Sequence, residues 1–170
     1  MVIMGCDQSA GKKYMSEKEF SYNHEFEMYA AILNGNKKKV EDILKKGFGI
    51  NYLMLRFCYR SCLHIAAEYG KEEIFLLLLS LGANINQRDR DDIVPLFIAC
   101  NQGHLKIVEI CFQNNARTTL TSKYGLTLKD YINHDLEKQF RHLLSTYSIN
   151  SVYQRVNLVQ NPPILKPKIN

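Results

Sequence analysis

Hydrophobic residues in the middle of the chain fall into pairs of short helical segments. Residues 63–69 include the small pair Ala66–Ala67, and residues 72–81 are apolar at most positions. A helix that is apolar nearly all round must be buried on several sides, as happens when similar units stack. Gly70 and Gly82 follow the two segments, and glycine favours the left-handed residue that ends many helices. The pattern therefore predicts a helix–turn–helix unit.

The same unit recurs along the chain. Residues 61–86 and 94–119 align without gaps, so that Gly70 matches Gly103 at a spacing of 33 residues. Self-similarity at a fixed period of this length is the signature of a repeat protein, in which each unit buries its apolar face against its neighbours. Counting a weaker first copy and a partial last one, the copies begin near residues 28, 61, 94 and 123.

These copies resemble ankyrin repeats. The family pattern of T-P-L-H-x-A-A, then G-H, then an apolar helix and G-A-x-I-N is matched almost letter for letter by SCLHIAAEYGKEEIFLLLLSLGANIN at residues 61–86. The resemblance covers about residues 25–144 and implies an all-α solenoid of helix–turn–helix units with β-hairpin loops. The organisation that we expect is an N-terminal extension, flexible in character, at 1–22, a repeat domain at 23–145 with repeats of about 23–52, 56–88, 89–121 and 122–145, and a partly extended or disordered C-terminal tail at 146–170.

Departures from the family pattern predict local irregularities. Asp92 stands where the family prefers a turn glycine, and Phe97 stands where it has a histidine that braces the turn. His64 keeps that place in the second repeat, so the resemblance implies a structural bond to Ser61. The link at residues 52–60 is two residues longer than its counterpart and unusually apolar. We expect Leu53 and Leu55 to pack beneath the repeats. We expect Arg56, Tyr59 and Arg60 to be exposed.

In the ankyrin family, binding positions lie on a concave face made of hairpin tips and the first helix of each repeat. Transferred position by position, the resemblance implies the partner-binding residues Arg60, Glu68, Tyr69, Arg88, Arg90, Asp91, Asn101, Gln102, Lys123 and Tyr124. Further positions of the same kind are Phe57, Cys58, Ile93, Thr121, Leu126, His134 and Asp135. Arginine and tyrosine are enriched at interface hot spots, so we expect a protein partner with an acidic or mixed surface.

Motifs and composition favour a binding protein over an enzyme. The chain has no Gly-rich phosphate loop, G-x-S-x-G elbow or H-E-x-x-H motif, so we expect no catalytic residue, no cofactor and no small-molecule substrate. Cys58, Cys62 and His64 lie close together, but without a second pair at zinc-finger spacing they predict buried thiols and no metal site. The net charge of +5 over 170 residues is too dispersed to favour nucleic acid.

Cysteine usage and hydropathy indicate the compartment. The five cysteines are irregularly spaced and do not resemble a disulfide framework. The strongest apolar run, residues 74–79, is far too short to span a bilayer. We therefore expect a cytosolic protein, with the nucleus as an alternative location. The expected function is that of a non-enzymatic interaction module, an adaptor or inhibitor in signalling, with a viral or bacterial effector as one form of it.

The N-terminal sequence MGCDQSAGKK supports an alternative function. A glycine after methionine, with serine four residues later, is the pattern for N-myristoylation, and an adjacent cysteine is a site for a palmitoyl group. Gly5 and Cys6 are therefore candidate lipidation sites. Because Met1–Ile3 precede the motif, acylation requires translation from Met4 or removal of these residues. In this alternative the chain is a lipid-anchored, membrane-associated adaptor.

Overall fold

The computed structural model describes residues 16–132, 137–143 and 145–147. Within these residues, no helix has the length and apolarity needed to cross a bilayer. The α-helices are α1 (Glu17–Asn23), α2 (Glu25–Leu33), α3 (Lys37–Lys45), α4 (Cys62–Glu68), α5 (Glu72–Ser80), α6 (Pro95–Gln102) and α7 (Leu105–Gln113), and 3₁₀ turns lie at Leu55–Phe57 and Leu128–Tyr131. Residues 137–143 and 145–147 are also helical.

The helices stack as pairs in two layers. Helix α2 with α3, α4 with α5, and α6 with α7 each form one repeat. The first helices form an inner layer in which α4 lies between α2 and α6, and the second helices form an outer layer in which α5 contacts α3 and α7. The 3₁₀ turn at Leu128–Tyr131 packs on α6 and continues the inner layer. The expected all-α solenoid of helix–turn–helix units is therefore confirmed.

Burial follows the repeat period in the inner layer. Ala66 of α4 and Ala99 of α6 are both fully buried, and their small side chains let the inner helices approach closely. The outer helix α5 buries Ile74, Phe75 and Leu78, but Leu76 remains exposed to 44%. Helix α5 is thus less enclosed than its composition predicted, because an outer-layer helix has solvent along one side.

The loops between repeats contain isolated antiparallel bridges in place of regular strands. The bridges within the described residues join Met54 to Arg60 and Thr121 to Thr127. In the intervening hairpin, Asp92 adopts φ of 59°, the left-handed conformation for which the family uses glycine, and aspartate tolerates it better than most residues.

Two asparagines at matching places connect successive repeats. The side-chain oxygen of Asn51 accepts a hydrogen bond from the backbone N–H of Asn84 at 2.7 Å. Asn86 does the same for the N–H of Arg117, at 2.8 Å. Each bond satisfies a loop N–H in the next repeat, so the alignment of neighbouring repeats is fixed at their loop ends.

Helix α1 extends the stack before the first repeat. Ser16 caps it, with the hydroxyl oxygen accepting from the N–H of Glu19 at 3.2 Å, and the fully buried hydroxyl of Ser21 accepts from Gly49 N at 3.0 Å. The extension that we expected at 1–22 therefore includes a helix packed on the first repeat. Gly5 and Cys6 lie outside the described residues, as does the tail from residue 148, so acylation at these sites stays a prediction.

Candidate functional site

The long loop at residues 52–60, between the first and second repeats, folds into a finger. The Met54–Arg60 bridge closes its base. At its tip, Cys58 and Tyr59 have φ values of 55° and 58°, in the left-handed region that non-glycine residues rarely adopt. Two such residues in succession persist only where surrounding contacts hold them. The finger is therefore a defined structure.

Burial within the finger differs from the sequence-based prediction. Leu55 exposes 47% of its surface, so the predicted packing of Leu55 is wrong. Met54 is fully buried in its place and Leu53 is half-buried, because the bridge turns Met54 toward the core and the 3₁₀ turn carries the next residue outward. The predicted exposure of Arg60 is also wrong, since only 25% of its side chain is exposed. Arg56 and Tyr59 are exposed as predicted.

A buried carboxylate holds the finger in place. Glu25, the first residue of α2, is fully buried. Its Oε1 accepts hydrogen bonds from Leu55 N at 2.7 Å and from the Tyr52 hydroxyl at 3.0 Å, and its Oε2 accepts from Arg56 N at 3.0 Å. Burial and the bond to Glu25 raise the pKa of Tyr52 to about 12. Sequence reasoning missed Glu25, since one acidic residue at a helix start gives no sign of a partner thirty residues away.

Four aromatic side chains, Phe26, Tyr29, Phe57 and Tyr69, form an aromatic row beside the finger. Phe57 stacks on Tyr29 with ring centroids 4.2 Å apart and meets Phe26 edge to face at 5.4 Å. Tyr69, at the end of α4, shares a 2.8 Å hydrogen bond between hydroxyls with Tyr29, and this bond raises the pKa of Tyr29 to about 12. Because Phe26 exposes 59% and Tyr69 43% of their surfaces, the row is accessible to a partner.

The sequence predicted only two of the four residues of the aromatic row. Phe57 and Tyr69 were predicted at binding positions, whereas Phe26 and Tyr29 were missed. The available signal was their spacing of three residues on the first helix of a repeat, which places them on one face. The first repeat matches the family pattern weakly, and this concealed which residues of α2 occupy the concave face.

Arg56 places a cation against the row. Its guanidinium carbon lies 4.6 Å from the ring centroid of Tyr22 and 5.2 Å from that of Phe26, within the range of cation–π attraction. Its Nε lies 3.8 Å from Oε2 of Glu25. The guanidinium is thus held between aromatic rings and a buried carboxylate.

Arg60, Glu68 and Asp89 form a half-buried ionic cluster at the centre of the face. An Nη atom of Arg60 lies 2.6 Å from Oε2 of Glu68, and its Nε lies 3.8 Å from Oδ2 of Asp89. Burial alone lowers the pKa of Arg60, but the hydrogen bond and charge of Glu68, with Asp89, outweigh it and raise the pKa. Two predicted binding residues, Arg60 and Glu68, are therefore brought together and neutralise each other.

The hairpin tips of the third and fourth repeats are also brought together. The Tyr124 hydroxyl donates to Oδ1 of Asp91 at 3.2 Å, which raises the pKa of Tyr124. The backbone N–H of Lys123 donates to the carbonyl of Asp91 at 2.9 Å. Arg88 pairs with Asp92 at 3.3 Å. The side chain of Arg90 is exposed and forms no ion pair with a described residue, so it is one of the cations free to meet a partner.

The remaining predicted binding positions differ in how much of their surface is exposed. Asn101 and Gln102 are exposed at the end of α6, beside the tips. Cys58, Thr121 and Leu126 are exposed and Ile93 is half-buried. His134 and Asp135 lie outside the described residues.

His64 lies inside the stack and not on the binding face. Its Nδ1 accepts from the Ser61 hydroxyl at 2.7 Å and from Ser61 N at 3.1 Å, and its Nε2 donates to the carbonyl of Ile93 at 3.0 Å. The bracing role that the resemblance implied is therefore present. Burial, with the charge of Arg60, lowers the pKa of His64 to about 4. Phe97, at the matching place in the third repeat, stacks on Tyr131 at 4.9 Å.

The cysteines behave as apolar residues where they are buried. Cys62, Cys100 and Cys111 are buried free thiols, and burial raises the pKa of Cys62 to about 12 and the pKa of the other two above the usual value. Among the described residues, no group of three or more His, Cys, Asp or Glu side chains is placed to hold a metal ion.

Several known proteins are similar in sequence to this chain. The chain is 33% identical over 136 residues to the putative ankyrin repeat protein FPV244 of fowlpox virus, an alignment that covers 76% of this chain and 20% of the viral protein. It is 44% identical over 88 residues to the ankyrin repeat and KH domain-containing protein mask-1 of Caenorhabditis elegans, covering 51% and 3%. It is 33% identical over 78 residues to protein phosphatase 1 regulatory subunit 27 of Homo sapiens, covering 46% and 51%. The chain thus spans about half or less of the length of each of these relatives.

A family model identifies the repeats themselves. The model of ankyrin repeats, in three copies, matches residues 27–127, which is more than half of the chain. Ankyrin repeats are protein–protein interaction modules and in general are not enzymes. The two-layer stack, the repeat period and this match agree, and the chain belongs to the ankyrin-repeat family.

Proposed function

We propose that this chain binds a partner protein through its concave face and acts as an adaptor or inhibitor. The observation that carries the proposal is the aromatic row, with Phe26 and Tyr69 exposed on the first helices of adjacent repeats. Exposed aromatic residues next to arginine have the composition of an interface hot spot. The family's general role as an interaction module supports the same conclusion.

The aromatic row is held in shape before a partner arrives. Phe57 is stacked on Tyr29, and its finger is tied to the buried Glu25 by the N–H groups of Leu55 and Arg56. Side chains that are already ordered lose little conformational entropy on binding, which strengthens association. This arrangement favours recognition of a partner by a preformed surface.

Charge on the face favours an acidic or mixed partner surface. Arg90 and Lys123 are exposed at the hairpin tips and form no side-chain ion pair with a described residue. The nearby carboxylates of Asp91 and Asp92 are engaged by Tyr124 and Arg88. The cations that remain available would therefore steer an acidic partner toward the face.

The relatives suggest two forms of this role. The fowlpox protein is viral, which supports the proposal of an effector acting on a host protein. The human relative is named as a regulatory subunit of a phosphatase, which supports the proposal of an inhibitor or targeting subunit. The cytosol, or the nucleus, is the location that we expect for either role.

Affinity capture with defined variants tests the proposal. Phe26→Ala removes the most exposed ring of the aromatic row, and Lys123→Glu reverses a free cation at the far end of the face. We expect each variant to reduce capture of the same partner protein at least tenfold, since hot-spot truncations commonly cost about 2 kcal/mol or more. Captured proteins are quantified by mass spectrometry against the unaltered chain.

Lys38→Glu, an exposed site on the outer helix α3, is the matched control and should leave capture unchanged. Circular dichroism of each variant establishes that the fold is retained. A partner whose capture is insensitive to both Phe26→Ala and Lys123→Glu would contradict the proposal. Loss of that capture with Lys38→Glu would place binding on the outer layer.

A further inference from the structure

A groove, separate from the aromatic row, lies between helix α1 and the finger and continues to the hairpin of the third repeat. A cavity of about 590 Å³ lies between α1 and the finger, and one of about 270 Å³ lies between the finger and the Asp89–Arg90 hairpin. Leu53 and Tyr59 line both, so the two cavities adjoin and together form the groove. The larger cavity by itself falls in the size range of ligand pockets.

The floor and walls of the groove are largely apolar. Tyr22 exposes 40%, Leu55 47% and Tyr59 42% of their surfaces, and all three face the larger cavity together with Leu53. A concave site lined mainly by apolar and aromatic side chains is typical of a binding pocket. The exposure of Leu55 follows from the finger itself, whose backbone is fixed by Glu25.

The charges that remain free along the groove are positive. Lys18 lines the larger cavity and Arg90 the smaller one, and neither forms an ion pair or hydrogen bond with a described residue.

The carboxylates on the rim, Glu19 and Asp89, keep their charge but already accept hydrogen bonds within the chain. Oε2 of Glu19 accepts from Ser16 N at 2.9 Å. Oδ1 of Asp89 accepts from the N–H groups of Asp91 and Ile93, both at 2.9 Å, and Arg60 lies beside its other oxygen. A ligand in the groove therefore meets an apolar centre with a free cation toward each end.

We propose that this groove is a second docking site and that its occupant is an acidic segment of a partner protein. An apolar side chain of the segment fills the cavity over Leu55 and Tyr59, and its carboxylates pair with Lys18 and Arg90. The matching rests on charge complementarity, because Lys18 and Arg90 would attract carboxylates of the segment and would repel a basic segment. The site goes beyond the proposed function, because the groove has no residue of the aromatic row and shares only Asp89 and Arg90 with the concave face.

Selection from a random dodecapeptide display library, with the full chain as bait, tests the occupant. We expect the enriched peptides to combine aspartate or glutamate with leucine or an aromatic residue. Fluorescence anisotropy then measures binding of the enriched peptides. Leu55→Asp and Lys18→Glu should each weaken binding at least tenfold, whereas Lys38→Glu on the outer helix should not. Affinity should also fall as salt is raised, since the attraction between exposed charges is screened.

Other results would overturn the inference. Peptides that are basic or neutral, no enrichment over an unrelated bait, or binding unchanged by both Leu55→Asp and Lys18→Glu would each refute an acidic occupant. Sedimentation velocity that shows a dimer abolished by Leu55→Asp would assign the groove to a second copy of the chain. Competition by a peptide of residues 1–15 that outmatches the selected peptides would assign it to the chain's own N-terminus. Phe26→Ala should leave peptide binding intact, so that failure of the proposed function and failure of this inference are distinguishable.

Discussion

Some contacts between repeats depend on a single residue that cannot be replaced without strain, and Gly70 is the clearest example. It ends α4 with φ of 64°, and the imidazole of His104 from the next repeat lies against it. The Nε2 of His104 donates to the carbonyl of Glu68 at 3.1 Å. A Cβ at position 70 would lie 2.7 Å from Cε1 of His104, well inside van der Waals contact. Gly70 therefore supplies both a left-handed turn and the space for a histidine that joins two repeats.

Gly70→Ala should destabilise the chain more than Gly35→Ala. The two glycines have nearly equal φ values, 64° and 65°, but a Cβ at Gly35 meets nothing within 4 Å. Each substitution should lose about 1–2 kcal/mol because alanine is strained in the left-handed region. Gly70→Ala should lose roughly 1–3 kcal/mol more from the clash with His104. Urea unfolding followed by circular dichroism measures both, since the chain has no tryptophan to report by fluorescence.

The added loss should disappear in a His104→Ala background, because the colliding ring is then gone. Equal losses for Gly70→Ala and Gly35→Ala in the unaltered background would show that the imidazole moves aside at no cost, and the packing argument would fail.

At the scale of elements, the finger depends on one buried side chain. The backbone N–H groups of Leu55 and Arg56 and the hydroxyl of Tyr52 all donate hydrogen bonds to the carboxylate of Glu25 in α2. The finger in turn carries Phe57 to the aromatic row and Leu55 to the groove. Both proposed binding surfaces are therefore supported by a contact that joins residues far apart in the chain.

Glu25→Ala should loosen the finger and destabilise the chain by about 3 kcal/mol or more. It leaves the N–H groups of Leu55 and Arg56 and the hydroxyl of Tyr52 without their acceptor, and a buried unsatisfied donor costs roughly 1–3 kcal/mol. Amide hydrogen exchange at Leu55 and Arg56 should accelerate more than exchange in α6. Chemical denaturation gives the loss in free energy of unfolding.

Glu27→Ala on the same helix is the matched control. Glu27 pairs with Lys39, and both side chains are substantially exposed, so its loss should cost less than about 1 kcal/mol. A loss for Glu25→Ala no larger than that for Glu27→Ala would show that the finger does not need the carboxylate.

At the scale of the whole molecule, the stack behaves as a chain of neighbouring contacts. Each inner helix packs on the inner helices beside it, and α5 lies between α3 and α7, so stability is a sum of repeat and interface contributions. His64 belongs to one of these interfaces, because it joins Ser61 of the second repeat to the carbonyl of Ile93. Its protonation state therefore bears on the stability of the entire stack.

Stability should fall as pH is lowered from about 6.5 toward 4, because His64 is buried in its neutral form. Its pKa is about 4 in the folded chain, against 6.5 for an unperturbed histidine. A histidine with a depressed folded pKa contributes stability that is present above the unfolded pKa and is lost as pH falls toward the folded one. The loss should reach about 3 kcal/mol. An NMR titration of the His64 ring gives the folded pKa directly.

The free energy of unfolding of His64→Gln should depend less steeply on pH over the same range, since the variant has no imidazole to protonate at this position. The difference between the two pH profiles isolates His64 from carboxylates that titrate nearby. An NMR midpoint near 6.5 in the folded chain would contradict the prediction.

The architecture could be predicted from the sequence because its signals are local and repeated. The 33-residue period, the alanines at Ala66 and Ala99, and the glycines that end helices each reflect an environment recurring in every repeat. A unit that cannot bury its apolar face alone must stack, so period and composition determine the fold class. His64 could be placed for the same reason, since its partner Ser61 is three residues away.

The surfaces available for binding were decided only by the tertiary structure. Glu25 meets the finger across thirty residues, Tyr29 meets Tyr69 across forty, and the exposure of Leu55 depends on a bridge that no local pattern marks. Such contacts join residues from different repeats, and their pairing depends on how the lengthened loop folds back on α2. Sequence alone therefore determined that this protein is a stack of ankyrin repeats. The tertiary structure decided which side chains the stack presents, because exposure is a property of packing between distant segments.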